Sequence, residues 1–229
     1  MTTESKTTKT MNSSSTKSKA RVRDLGEVFT AEREVNAMLD LVKDETLRIE
    51  SKFLEPACGD GNFLVPILER KLEVVELRYR KSQLEYERNL LIAIGSIYGI
   101  ELMEDNVRDC RKRIYIIAIK HYKRNFGKKI KEDICKSIKV IVKRNILWGD
   151  ALTLKTPDEE SAPIIFSEWS RPFNDSRIKR HDYYFRELLP QEQNNLFNQD
   201  IVSDLGANGF IPRPHRSYPA IHMTKIGEL

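Results

Sequence analysis

The stretch Phe53-Leu54-Glu55-Pro56-Ala57-Cys58-Gly59-Asp60-Gly61-Asn62-Phe63-Leu64 decides the fold. Two apolar residues lead into an acid, a proline and two glycines one residue apart, the signature of a strand that ends abruptly in a tight turn. Beyond it, Leu64, Leu68, Leu72, Val75, Tyr79, Gln83, Tyr86 and Leu90 recur every three or four positions, which predicts one long amphipathic helix reaching about Asn89. Ile97 to Leu102 predicts a second strand, and Val107, Cys110, Ile114, Ile117 and His121 form the stripe of a second crossover helix. Helical spacing returns in Ile130, Ile134, Ile138 and Ile141, ahead of Asn145 to Trp148, a third strand closed by Gly149-Asp150. Strands alternating with helices predict an α/β fold, a Rossmann-like parallel sheet with helices on both faces and right-handed crossovers.

Working outward, the pattern weakens on both sides. Residues 1 to about 20 are Ser, Thr and Lys with almost nothing apolar, so no burial offsets the entropy of ordering them; a disordered basic tail is expected. Val35, Met38, Leu39 and Val42 then predict a first helix, after a short segment from Gly26 to Thr30. Past Leu154, Ser161 to Phe166 supplies a fourth strand without a strong crossover helix behind it. Asn174-Asp175-Ser176 is turn chemistry between extended runs, so a hairpin is expected across 164 to 186. The last 40 residues, rich in Asn, Gln, Pro and Gly, are expected to be irregular or partner-dependent. This divides the chain into a tail (1–20), a main domain (21–170) and a C-terminal extension (171–229). Few strands remain after the fourth, so the sheet is either incomplete or completed by another chain.

The 229 residues suffice for one ordinary α/β domain, and 40% hydrophobic residues supply its core. Apolar runs of a few residues fall far short of the roughly 18 that span a bilayer, which excludes a membrane protein. The N-terminus lacks the continuous apolar segment of a secretory signal, and three cysteines (Cys58, Cys110, Cys135) cannot all pair with one another, so a reducing cytoplasm is expected. The formal charge of +5 decides little, but its distribution decides more. Between Arg108 and Arg144 stand 14 Lys and Arg against 3 Asp and Glu, leaving the rest net acidic. Such a band suits a phosphate backbone or, equally, the solvated face of amphipathic helices.

The glycine turn sits where a parallel sheet binds its ligand, at the carboxyl end of the first strand. A diphosphate dinucleotide would favour G-x-G-x-x-G, but the third glycine position is Leu64, and the flanking Glu55 and Asp60 oppose an anion. An acid-flanked glycine turn suits a cationic ligand, such as the ammonium and sulfonium of S-adenosyl-L-methionine. Glu101 closes the second strand, where it can accept two ribose hydroxyls or serve as a capping acid. Asp150 follows the third, where it can accept an adenine amine or simply make a Gly-Asp turn. In a parallel sheet all three acids face one crevice.

These residues resemble the adenine-N6 DNA methyltransferases of restriction-modification systems, over Arg23 to Glu168. Gly26-Glu27-Val28-Phe29-Thr30 resembles the segment in which an aromatic and a threonine close over the methyl donor. Glu55 to Gly61 resembles the family's Asp/Asn-Pro-Pro/Ala-Cys-Gly-x-Gly motif, with Pro56, Ala57, Cys58, Gly59 and Gly61 all matching. Tyr98 to Leu102 resembles the ribose-binding strand, and Asn145 to Leu152 the strand whose acid holds the adenine edge. The resemblance implies S-adenosyl-L-methionine as donor, held by Phe29, Thr30, Glu55 to Gly61, Glu101, Leu102, Asp150 and Ala151. The 40 residues from Gly61 to Glu101 exceed the roughly 20 of a simple βαβ unit, and the long helix absorbs the excess.

One departure concerns catalysis. The family's polar residue followed by Pro-Pro and an aromatic is missing, since no Pro-Pro occurs in the chain. Its place is taken by Ile164 to Ser170, where Ser167 could accept the target amine and Trp169 could stack on a flipped base. Alternatively, Phe166 and Trp169 are core residues of the hairpin. Arg177, Lys179, Arg180 and Tyr183 combine charge with a flat ring suited to nucleic acid, or form an exposed strand with snorkelling stems. Cytosine-C5 chemistry needs a Pro-Cys nucleophile, whereas Cys58 follows Ala57. The four histidines show no ligand spacing with the cysteines, and no metal is expected. Expected partners are double-stranded DNA and a specificity or restriction subunit, with no membrane. The alternative is a catalytically silent donor-binding or DNA-binding subunit.

Overall fold

The computed structural model describes residues 30–189 and 212–229. The described residues from Ala31 onward belong to one compact unit; the expected N-terminal tail lies outside the described residues. The chain begins with helix α1 (Glu32–Asp40) and a single helical turn α2 (Lys43–Thr46). Strand β1 (Phe53–Glu55) then runs into the glycine turn and helix α3 (Leu64–Tyr79).

The single long helix expected after the turn is two helices. Helix α4 (Gln83–Gly95) starts afresh behind Ser82, whose side chain accepts from the Glu85 amide as an N-cap. The apolar stripe continues across the break, which is why periodicity alone does not reveal it.

Strand β2 (Ile97–Glu101), helix α5 (Glu104–Phe126), helix α6 (Glu132–Asn145) and strand β3 (Ile146–Trp148) follow in the expected order. Both α5 and α6 carry acids in the first turn and bases in the last, matching the helix dipole. Helix α5 ends at Gly127, whose φ of 54° few other residues adopt. The sheet order is β1-β2-β3, all parallel, with Glu55 opposite Gly99 and Glu101 opposite Trp148. The chain is thus a mixed α/β fold.

The fourth strand departs from expectation. Strand β4 (Ile165–Ser170) joins no parallel neighbour; it pairs antiparallel with β5 (Arg177–Tyr184), forming the expected hairpin in a separate sheet. Strand alternation explains where this sheet goes. Tyr98 and Ile100 project from one face of β2 and pack with Ile164, Phe166 and Phe185. The Phe166 ring meets Tyr98 and Phe185 edge-on at centroid distances of 5.4 and 5.5 Å. The opposite face of β2 receives Leu64 and Cys58, and a Cβ at Gly99 would lie 2.8 Å from the Cys58 sulfur. Gly99 is therefore a glycine so that the turn and α3 can press against the sheet.

Of the last 40 residues, 190–211 lie outside the described residues, and 212–229 form more regular structure than their composition suggests. Short strands β6 (Arg216–Ser217) and β7 (Ile221–His222) pair with β5, and a 3₁₀ segment (Met223–Glu228) buries Met223 and Ile226. The Ser137 hydroxyl donates to the Met223 carbonyl at 2.8 Å, fixing this segment to α6. Near the start of the domain, the fully buried ammonium of Lys71 donates to the carbonyls of Arg48, Ile49 and Ser51 at 2.6–3.0 Å. It thereby anchors the segment that feeds β1. Among the described residues, no helix is long and apolar enough to cross a membrane.

Candidate functional site

The site is built at the carboxyl edge of the parallel sheet. After β1, the Cys58 amide donates to the Ile100 carbonyl at 2.9 Å, and the Gly61 amide returns to the Cys58 carbonyl at 2.8 Å. Gly59 and Gly61 hold φ of 54° and 98°. At Gly61 a side chain would also press on the Cys110 sulfur, 3.0 Å from the position of a Cβ. Conformation and space together require glycine there.

Glu101 holds this turn in place. One carboxylate oxygen accepts from the Gly59 amide and the other from the Met103 amide, each at 2.8 Å. Its own carbonyl accepts from Gly149 at 3.0 Å, which brings the third strand end against the second. Asp60 lies 2.8 Å from Arg113 of α5, whose guanidinium also donates to the Asp60 carbonyl at 3.0 Å.

Glu55 is half-buried and faces no basic side chain in an ion pair among the described residues. Burial raises its carboxyl above the usual carboxylate range, with a weaker opposing pull from the Ala57 amide. Glu55 and Glu101 both lie close enough to the Cys58 thiol to push it up, adding to its contact with Cys110 and to burial. Cys58 and Cys110 are free, buried thiols. The Asp150 side chain caps its own loop, accepting from the Leu152 amide at 2.8 Å, and that bond holds its carboxyl low. A polar cavity of about 400 Å³ opens beside Asp150, lined also by Thr153, Lys155, Thr156 and Ser161.

Glu55, Glu101 and Asp150 thus stand at the ends of three adjacent strands around one glycine turn, with Pro56, Ala57, Leu102 and Ala151 in the connecting backbone. Phe29 lies outside the described residues, and Thr30 is the first of them. Sequence reasoning missed Arg113, Cys110, Met103 and Trp148, whose indole N–H donates to the Leu102 carbonyl at 2.9 Å. Arg113, Cys110 and Trp148 act through contacts remote in sequence, whereas the Met103 amide reaches Glu101 from two residues away.

The expected catalytic pair is placed elsewhere. Trp169 is 6% exposed, its ring lies against Gly95, and its N–H donates to the Asn145 amide oxygen at 3.2 Å. Ser167 is buried, with its hydroxyl donating to Asp182 at 2.7 Å. Both side chains serve the packing of the hairpin, and the core alternative for Trp169 describes its position. Of the residues expected at nucleic acid, three are engaged within the fold. Arg180 is 6% exposed, pairs with Asp182 at 3.1 Å and stacks on Tyr218 at 3.6 Å. Arg177 pairs with Asp175 at 2.7 Å and lies over Phe173. Tyr183 is half-buried, and burial beside Glu168 pushes its hydroxyl up to about 12. Of the four, Lys179 alone has no side-chain partner among the described residues.

The domain is a parallel-sheet α/β domain whose first strand ends in a glycine turn, with acids at successive strand ends, and open α/β sheets bind their ligands at the carboxyl edge. The chain belongs to the family of the MmeI DNA-methyltransferase domain, whose model matches residues 14–160, more than half of its length. No curated protein and no solved structure matches it.

Proposed function

We propose that the chain is an S-adenosyl-L-methionine-dependent DNA methyltransferase of a restriction-modification system, acting on adenine N6. The observation that supports this reading is the Glu101 carboxylate accepting from the Gly59 amide, with Glu55 and Asp150 at the ends of the neighbouring strands, within a DNA-methyltransferase domain family. The residues fit the donor. Glu101 offers two carboxylate oxygens to a ribose diol, half-buried Glu55 offers a negative charge to the ammonium or sulfonium, and Asp150 offers an acceptor to the adenine amine. The donor supplies an activated methyl group on sulfur; the protein binds and orients it and shields it from water.

A second reading rests on β4. With Ser167 and Trp169 committed to the hairpin, the chain binds the donor, while a second polypeptide supplies the group that receives the target amine. Tritiated donor incubated with unmethylated DNA separates the two. The chain alone is expected to label DNA, and digestion to nucleosides is expected to place the label in N6-methyladenine. Donor binding by calorimetry, with labelling only after host lysate is added, would favour the second reading. No donor binding would end both.

A further inference from the structure

We infer that the outer face of α5 and α6 is a docking surface for the phosphate backbone of duplex DNA, separate from the hairpin that the sequence pointed to. Arg108, Lys112, Tyr115 and Lys123 recur at offsets of four, seven and fifteen residues along α5, which places them on one stripe. Lys139 and Lys143 form a parallel stripe on α6. The two stripes meet. The Lys139 ammonium lies 5.2 Å from the Tyr115 ring centroid, Lys123 and Lys139 both act on the Cys135 thiol, and Arg111 donates to the Lys143 carbonyl at 3.2 Å.

What distinguishes this face is charge left uncompensated. Other cations of this region are paired, Arg113 with Asp60, Arg124 with Glu76, Lys131 with Glu87 and Lys136 with Glu132, while Arg111 donates to backbone carbonyls, and Lys120 and Arg144, off the stripe, form no ion pair among the described residues. Arg108, Lys112, Lys123, Lys139 and Lys143 are exposed, and none forms an ion pair with another described residue. From Arg108 to Lys123 the stripe spans about 22 Å at 1.5 Å per residue, roughly six base-pair steps at 3.4 Å. An extended polyanion of regular charge spacing satisfies such a row, whereas a single small anion would meet only one or two members. That the polyanion is DNA rests on the proposed activity.

The test is a titration of the full chain with a short fluorescent DNA duplex at several salt concentrations, beside calorimetry with the methyl donor. Each phosphate contact adds about 0.9 to the slope of log affinity against log salt. The triple variant Lys112→Glu, Lys139→Glu, Lys143→Glu is expected to lose roughly 100-fold in affinity near 0.1 M salt and to flatten the slope by about three. Lys179→Glu on the hairpin is expected to change neither, and donor affinity is expected to be unaltered in both variants. A triple variant whose DNA isotherms overlay those of the wild type would overturn the inference. So would wild-type binding to phosphatidylserine vesicles without binding to DNA. The donor measurement keeps the two ideas apart: a wild type that binds DNA through these lysines but takes no donor defeats the donor site alone.

Discussion

The carboxyl edge of the parallel sheet and the β4–β5 hairpin both gather charged side chains, and they use them in opposite ways. In the hairpin, Asp182 accepts from Ser167, Tyr218 and Arg180, so its hydrogen-bonding capacity is consumed within the fold. At the sheet edge, Glu55 has no basic partner among the described residues, Asp150 makes only bonds within its own loop, and Glu101 is bound to backbone amides alone. A buried carboxylate whose acceptors are taken within the fold specifies packing, whereas carboxylates with spare acceptors suit the proposed donor site. The same residue types, read from sequence, therefore mean different things in the two regions.

Substitutions break this contrast at different scales. The largest effect is expected at Asp182→Ala, which leaves Arg180 charged, buried and unpaired; thermal or urea unfolding should report a loss of about 3–5 kcal/mol, with the donor affinity of the folded fraction unchanged. At the sheet edge the pattern should reverse. Glu101→Ala removes the acceptor of two amides, expected to cost about 1–3 kcal/mol in unfolding free energy, and to weaken donor binding at least tenfold by calorimetry.

A smaller effect sharpens the role of Glu55. Its carboxyl titrates above the ordinary range because burial disfavours the charged form. As pH falls, Glu55 takes up a proton earlier than an exposed glutamate does and loses its attraction for a cationic donor. Donor affinity should therefore decline with falling pH from above the usual carboxylate range, and Glu55→Gln should flatten that decline. The smallest effect is expected at Arg177→Ala, which removes an exposed pair with Asp175; stability should move by less than about 1 kcal/mol.

Much of the parallel sheet was legible because its signals are short-range. The strand-to-turn passage at Phe53 to Gly61, the apolar stripe of α3 and the strands at Ile97 and Ile146 follow from neighbours a few residues apart. The break at Ser82 was not, because a cap can interrupt a helix without disturbing its apolar period. The partner of β4 was not either. Its alternation announces a strand, but whether that strand joins β1 or folds back on β5 depends on which surface Phe166 covers, and Tyr98 settles that from 68 residues away in sequence. Site acids were legible by position at strand ends; the spent state of Ser167, Trp169 and Arg180 was not, since it depends on Asn145, Asp182 and Tyr218. The tail of the chain misled for a related reason: Met223 and Ile226 are too few to make a pattern, yet enough to fill a gap against α6.

Glu101 bridges the amides of Gly59 and Met103 before any nucleoside arrives. The loop proposed to receive the donor is thus set in its curved shape by the fold itself, and the entropy of shaping it is lost during folding instead of at the encounter. An incoming sugar would exchange its hydroxyls against bonds that already exist, so recognition there becomes a swap of partners on a rigid frame.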